Sequence, residues 1–197
     1  MKKYLVIGNP IDHSLSPLLH NFWIKKHSIN AIYEKQLIEK NDIEKILNDM
    51  RENKINGINV TVPFKKAVIP FLDQLSETAK KTQSVNTIFK KQNNLVGDNT
   101  DVYGFSEAIK LTNINLANKK ALILGAGGVV PSVILALKNM GVSEIIISNR
   151  TREKAEDIKK NFPFLNVINW GETKKSDLII NATSVGIKQN DEIKLNY

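Results

Sequence analysis

Residues 120–130, KALILGAGGVV, decide the fold of the second half of this chain. An apolar strand pattern ends in Gly125, Ala126, Gly127 and Gly128, and an apolar helical pattern begins at once and runs to about residue 140. A strand that turns through glycines into a helix is the setting a dinucleotide fingerprint requires. Gly125 allows the tight turn, and Gly127 lets backbone approach a pyrophosphate. Amides at the helix start, including that of Gly128, then donate to phosphate oxygens. The third small position of the fingerprint falls on Val130, which is bulkier than usual. A glycine-rich turn without a ligand is the bland alternative, and the strand–helix context argues against it.

The neighbouring pattern indicates which dinucleotide. EIIISNR (144–150) reads as a strand and TREKAEDIKKNF (151–162) as a helix. At the end of such a strand an NAD site usually carries Asp or Glu for the ribose 2′-hydroxyl. Here stand Asn149, Arg150, Thr151 and Arg152, an amide, a hydroxyl and two guanidinium groups, all donors for a 2′-phosphate. The plainer roles are a helix cap for Thr151 and an ion pair with Glu156 for Arg152. The donor set points to NADP. NVINW (166–170) and DLIINATSVG (177–186) complete the half as two further strands.

Strands and helices alternate through the first half as well. KYLVIGN (3–9), AIYEKQLI (31–38) and INGINVTV (55–62) read as strands. Helices are expected over 16–28, opened by a Ser16 cap and Pro17, and over 41–53, capped by Asn41 or Asp42. Helical segments follow over 65–73 and 76–82. SVNTIFKKQNNLVGDN reads as a hairpin turning at Gln92–Asn94, and DVYGFSEAIKLT (101–112) as a helix. The polar stretch TNINLANKK separates the halves, so the domains are placed at 1–112 and 113–197. Alternating strands and helices imply βαβ units and parallel sheets, hence the α/β class.

The 197 residues suffice for two small cores. No apolar run reaches membrane-span length. The first residues, MKKYLVIGNPIDHS, read as a strand rather than a signal peptide. The chain has no cysteine, which excludes disulfides and thiolate metal sites and fits the cytoplasm. His13, His20 and His27 have no metal-ligand arrangement, and His20 reads as a packing residue. The net charge of +8 comes from lysines spread over helix faces, without a basic cluster interleaved with aromatics. That pattern favours a solvated surface and anionic substrates over nucleic acid.

In NVTVPFKK (59–66) a strand ends at Pro63, which cannot continue a central ladder. The chain leaves the sheet and delivers Lys65 to the carboxyl edge, where open α/β sheets bind ligands. Lys66 reads as a solvated neighbour. Thr61 lies opposite Val60 and Val62 on its strand and is able to make a polar contact above an apolar layer. Asn59 shares its face. Ser14 and Ser16 alternate just before a helix start, where hydroxyls, amides and the helix dipole favour an anion. Asp101 opens the helix after Asn99 and Thr100, and a cap is its simpler role.

GNPIDHSLSP (8–17), NVTVPFK (59–65), SVNT (84–87), GDNTDVYG (97–104), GAGG (125–128), NRT (149–151) and NATSVG (181–186) together resemble the shikimate dehydrogenase family, in order and approximate spacing. The resemblance implies an N-terminal α/β substrate-binding domain and a Rossmann-like NADP domain. It implies reversible, NADPH-dependent reduction of 3-dehydroshikimate to shikimate, on the way to aromatic amino acids. It makes Lys65 and Asp101 the catalytic pair and puts the substrate carboxylate at Ser14 and Ser16. Thr61, Asn86 and Asp101 join them as substrate ligands. It places the 181–186 loop, with Thr183, Ser184 and Val185, near the nicotinamide, Gly186 avoiding a clash. A quinate-using relative, an impaired shikimate-binding module and a homodimer are the accompanying alternatives. Family members carry further Rossmann strands, a substrate-contacting tyrosine and a C-terminal helix with a glutamine. IKQNDEIKLNY, ending at Tyr197, has no counterpart of these, so the chain reads as a C-terminally truncated member with weak turnover and an exposed LIINAT edge.

Overall fold

The computed structural model describes residues 1–186 together with Glu192 and Ile193, so most of the polar stretch after Gly186, including Tyr197, lies outside the described residues. By internal contacts the chain forms two units, Met1–Thr100 and Asp101–Tyr197.

In the first unit, six strands lie in the order β2-β1-β3-β5-β6-β4. They are β1 (Lys2–Gly8), β2 (Ala31–Leu37), β3 (Gly57–Val60), β4 (Gln74–Leu75), β5 (Thr87–Lys91) and β6 (Asn94–Asp98). β1 runs parallel to β2 and β3, as the βαβ pattern predicts. The sheet is nonetheless mixed, because β5 is antiparallel to both β3 and β6. The hairpin sets β5 against β6, and the choice of β3 as the other neighbour of β5 joins the pair to the parallel strands. Two residues, Gln92 and Asn93, reverse the chain, with Gln92 at φ +57°.

Helix α1 spans Ser16–Lys26 and α2 spans Ile43–Arg51. On α2, Ile43, Ile46, Leu47 and Met50 recur at helical spacing and are all buried. They pack with Leu5, Ile7, Ile58, Val60 and Phe64 in one core. Asp42 precedes α2 but does not cap it. Its carboxylate accepts from the Glu39 N–H at 2.8 Å, closing a 3₁₀ turn over Lys40–Asp42. The helix expected over 65–73 is instead a run of turns with a 3₁₀ piece at Ile69–Phe71. Pro70 is the reason, since it lacks an N–H and clashes with the carbonyl four residues back. The second expected segment forms α3 (Glu77–Thr82), capped by Ser76, whose Oγ accepts from the Ala79 N–H at 3.1 Å. On α1, His20 stacks on Tyr33 with centroids 4.2 Å apart, the packing role expected of it. Burial lowers the His20 pKa and pushes the Tyr33 hydroxyl well above its usual range.

The second unit is a parallel sheet in the order β10-β7-β8-β9, built from β7 (Lys120–Leu124), β8 (Glu144–Ser148), β9 (Asn166–Ile168) and β10 (Leu178–Asn181). Helix α4 (Asp101–Lys110) precedes β7, while α5 (Val130–Asn139) runs between β7 and β8 and α6 (Arg152–Asn161) between β8 and β9. Ala121, Ile123, Ile134, Leu137, Ile145 and Ile147 form the core. Val130, the bulky fingerprint position, is fully buried there, so the extra methyls are absorbed by packing. Phe105 and Ile109 of α4 pack against the same cluster, so contacts group this helix with the second half, whereas the sequence reading groups it with the first. Strands β8 and β10 end earlier than their apolar patterns, leaving Asn149–Thr151 and Ala182–Gly186 as loops at the carboxyl edge. Among the described residues, no helix is long and apolar enough to cross a membrane, and no cluster of His, Asp or Glu has metal-binding geometry.

Candidate active site

Register gathers the first unit's candidate residues. Because β1 and β3 are parallel, Gly8 and Val60 end at the same edge, and the antiparallel pairings Asn59↔Thr87 and Thr87↔Asp98 bring the start of β5 and the end of β6 there too. The loops that follow β1 and β3 are joined by the Asn9 N–H donating to the Val62 carbonyl at 3.0 Å. Thr61 is half-buried, and its methyl lies over Gly8, where an added Cβ would come within 2.6 Å of it. Its carbonyl accepts from the Phe64 N–H at 2.9 Å, closing a turn. Since the strand has ended, Val62 is 56% exposed and does not share the apolar layer of Val60. Phe64, 3% exposed, anchors the turn in the core, and half-buried Lys65 follows it at the edge. The Lys65 carbonyl accepts from the Val85 N–H at 2.8 Å, which ties it to the segment leading into Asn86.

Asn86 is the knot of this edge. Its Oδ1 accepts from the Thr100 N–H at 3.0 Å and the Thr87 hydroxyl at 3.0 Å, and its Nδ2 donates to the Thr100 Oγ1 at 2.9 Å. Asn59 continues the network, donating to the Thr87 Oγ1 at 3.1 Å and accepting from the Tyr33 hydroxyl at 2.6 Å. That is a structural role for Asn59. Buried Asn99 donates to the Ser84 carbonyl at 2.8 Å. The SVNT and GDNT stretches are therefore held together side chain by side chain, and Asp101 is the next residue, opening α4.

Ser14 and Ser16 are both half-buried beyond β1. Leu15, not Ser16, is the N-cap of α1, and no side chain caps the helix from that position. Leu15 already has helical dihedrals, so Ser16 is the first helical residue. Its N–H donates instead to the Ser14 Oγ at 3.3 Å, which orients that hydroxyl at the helix start.

In the second unit, a cavity of about 240 Å³ lies at the carboxyl edge of the parallel sheet. Gly125, Ala126 and Gly127 form one wall; Asn149, Arg150 and Thr151 form another; Thr183, Ser184 and Val185 form a third. Gly125 has φ +113°, and a Cβ there would meet the Ala182 carbonyl oxygen at 2.6 Å. Among the described residues, a Cβ on Gly127 would meet only that oxygen, at 3.8 Å, so this backbone is open on its outer side. Gly128 is not among the described lining residues, and α5 begins two residues beyond it, at Val130. The Asn149 amide donates to the Thr151 carbonyl at 2.7 Å, shaping the turn. Thr151 occupies the N-cap position of α6 without a side-chain cap bond. Arg152 points elsewhere. Its guanidinium donates to the Asn169 Oδ1 at 2.7 Å and pairs with Glu156 at 3.1 Å. Lys154 lines the cavity in its stead, together with Trp170. Lys154 lies in the first turn of α6, on which Arg152 and Glu156 form an i,i+4 pair, while Arg150 precedes the helix. Trp170 carries no local signal beyond its place after β9.

The 181–186 loop is fixed by Asn181, whose Oδ1 accepts from the Thr183 N–H at 3.0 Å while its Nδ2 donates to the Val185 carbonyl at 3.0 Å. Gly186 has φ +95°, and a Cβ there would meet no atom of the described residues within 4 Å. Within this chain, backbone conformation rather than crowding calls for glycine.

Comparison with known proteins agrees with both halves. The sequence model of the shikimate dehydrogenase substrate-binding domain matches residues 6–88, and that of shikimate / quinate 5-dehydrogenase matches residues 106–188. The shikimate dehydrogenase (NADP(+)) of Pelagibacter ubique is 58% identical over 196 residues, covering 100% of this chain and 74% of that protein. The crystal structure of the Aquifex aeolicus shikimate dehydrogenase has a TM-score of 0.89 at 38% identity, covering 100% of this chain and 74% of that one. The Thermus thermophilus shikimate 5-dehydrogenase, solved in complex with NADP(H) and shikimate, has a TM-score of 0.85 at 34% identity, covering 95% of this chain and 70% of that one. With a substrate-type α/β unit followed by a Rossmann-like unit, and relatives this similar along its whole length, the chain belongs to the shikimate dehydrogenase family.

Proposed function

We propose that this chain catalyses the reversible NADP-dependent interconversion of shikimate and 3-dehydroshikimate, as its relatives' names imply. The observation that carries the reading is the carboxyl edge of the first unit, where Asn86 locks Thr100 beside the turn that presents Thr61 and Lys65. The residues of the second unit fit the dinucleotide. The glycine loop offers open backbone, and Arg150 and Lys154 supply cations for a 2′-phosphate where an NAD site would carry a carboxylate. Arg152, engaged by Glu156 and Asn169, is left out of that role. The nicotinamide supplies the hydride acceptor or donor.

The chain's own groups handle the proton and the substrate. When hydride leaves the carbinol carbon of shikimate, the hydroxyl proton passes to Lys65, acting as the amine, with Asp101 holding it. In the reverse direction the Lys65 ammonium returns that proton and offsets charge building on the carbonyl oxygen. Ser14 and Ser16, with the α1 N-terminus behind them, take the carboxylate, and Thr61, Asn86 and Asp101 take hydroxyls. The lysine-rich surface is read as solvated, without nucleic-acid or membrane partners. A chain without cysteine fits the cytoplasm. A homodimer belongs to this reading as well.

The direct test is reduction of NADP by shikimate, followed by NADPH absorbance, with NAD and quinate as competing cosubstrate and substrate. Shikimate with NADP should give the highest kcat/KM. No shikimate-dependent NADPH, or a clear preference for quinate, would overturn the assignment.

A further inference from the structure

The dinucleotide reading says what holds the phosphates and leaves the base unassigned. The sheet order β10-β7-β8-β9 puts the glycine loop of β7 between the 181–186 loop on one side and the β8 and β9 ends on the other. A dinucleotide whose pyrophosphate lies on that loop sends its two halves in opposite directions along the carboxyl edge. The cations Arg150 and Lys154 mark the β8 side as the place of the phosphorylated ribose. The base beyond that ribose then reaches the end of the next strand out, β9, and two residues past β9 stands Trp170.

Trp170 is the one aromatic side chain among the described lining residues of the cavity. It is half-buried, and it packs against the cluster of Leu122, Leu124, Ile146 and Ile168 on its protein side. That packing holds a large flat surface in place at little entropic cost on binding. We infer that Trp170 is the platform against which the adenine ring of the cofactor lies, making it a binding determinant for the adenosine half. The inference rests on the dinucleotide reading of the cavity and adds a residue to it.

Adenosine 2′,5′-bisphosphate is the probe, because it carries the adenine and the 2′-phosphate without the nicotinamide. The chain has two tryptophans, so Trp23→Phe leaves Trp170 as sole emitter. Saturable quenching of that emission by the bisphosphate is expected. Trp170→Ala should weaken the bisphosphate and NADP by the same factor, about 5- to 100-fold for loss of one base–aromatic stack, and Trp170→Phe should restore most of it. Should the alanine variant unfold, the quenching and the phenylalanine variant decide. Bisphosphate binding without a change in Trp170 emission, or a loss felt by NADP alone, would overturn the platform while leaving the cavity's reading intact. Failure of the wild-type chain to bind either ligand would overturn both.

Discussion

The two units build their carboxyl edges from different parts of the chain. In the first, side chains do it. Asn59, Thr87, Asn86 and Thr100 form a continuous network across three strand ends, so each of these side chains is oriented by another. In the second, backbone does it, through a glycine turn at which a Cβ on Gly125 would lie 2.6 Å from the Ala182 carbonyl oxygen, with long exposed cations around the rim. A small substrate with several hydroxyls demands fixed donors and acceptors at set positions, because an unpaired buried polar group costs about 1–3 kcal/mol. A diphosphate asks chiefly for amides and positive charge, which a turn and a helix start supply without specific side chains.

The contrast has consequences that mutation can break. The largest is chemical. Lys65→Ala and Asp101→Ala should each lower kcat by ~10²–10⁴-fold, the usual worth of positioned proton transfer, with circular dichroism and melting temperature little changed. Near-normal turnover in either variant would remove that residue from the reaction.

Gly125→Ala attacks the backbone strategy. The substitution forces a side chain into φ +113° and against the Ala182 carbonyl, a strain of ~1–3 kcal/mol before any displacement of the loop. NADP binding by calorimetry should be lost or severely weakened, while shikimate still raises the melting temperature. Equal damage to both ligands would show that the two strategies are not separable.

Next come the cations. Arg150→Ala and Lys154→Ala should each weaken NADP roughly 10- to 100-fold and leave NAD nearly unchanged, as a charge-assisted bond is worth ~1.5–3 kcal/mol. Arg152→Ala should lower stability by only ~0.3–0.5 kcal/mol, since its i,i+4 partner Glu156 is exposed as well, and should not alter cofactor choice. A selectivity loss in Arg152→Ala as large as in Arg150→Ala would sink this division of labour.

The smallest effect on ligand binding sharpens the side-chain strategy. Asn86→Ala leaves the Thr100 N–H and the Thr87 hydroxyl without their shared acceptor. KM for shikimate should rise by about tenfold, for ~1–2 kcal/mol of lost orientation, with the affinity for NADP untouched. A matching drop in NADP affinity would mean that Asn86 supports the fold rather than the substrate.

Local pattern determined much of this protein. The Gly125–Gly127 turn, the alternation of strands and helices, the α2 stripe and the hairpin at Gln92 all follow from residue type and spacing over a few positions, and the structure has each of them. Asn149 and Arg150 at the end of β8 were legible for the same reason. What depended on partners distant in sequence was not. That the first sheet is mixed follows from β5 choosing β3 as neighbour. The turns at 65–73, by contrast, were open to a local reading, since Pro70 stands within the stretch. Ser14, rather than Ser16, satisfies the first turn of α1 because Leu15 is already helical. Lys154 and Trp170 enter the cavity, and Arg152 leaves it, because Asn169 and Glu156 hold the guanidinium away. Sequence periodicity specifies which face a residue takes within its own element. Only the packed sheet decides which elements meet at the carboxyl edge, because hydrogen-bond register and core packing, not local propensity, determine those meetings.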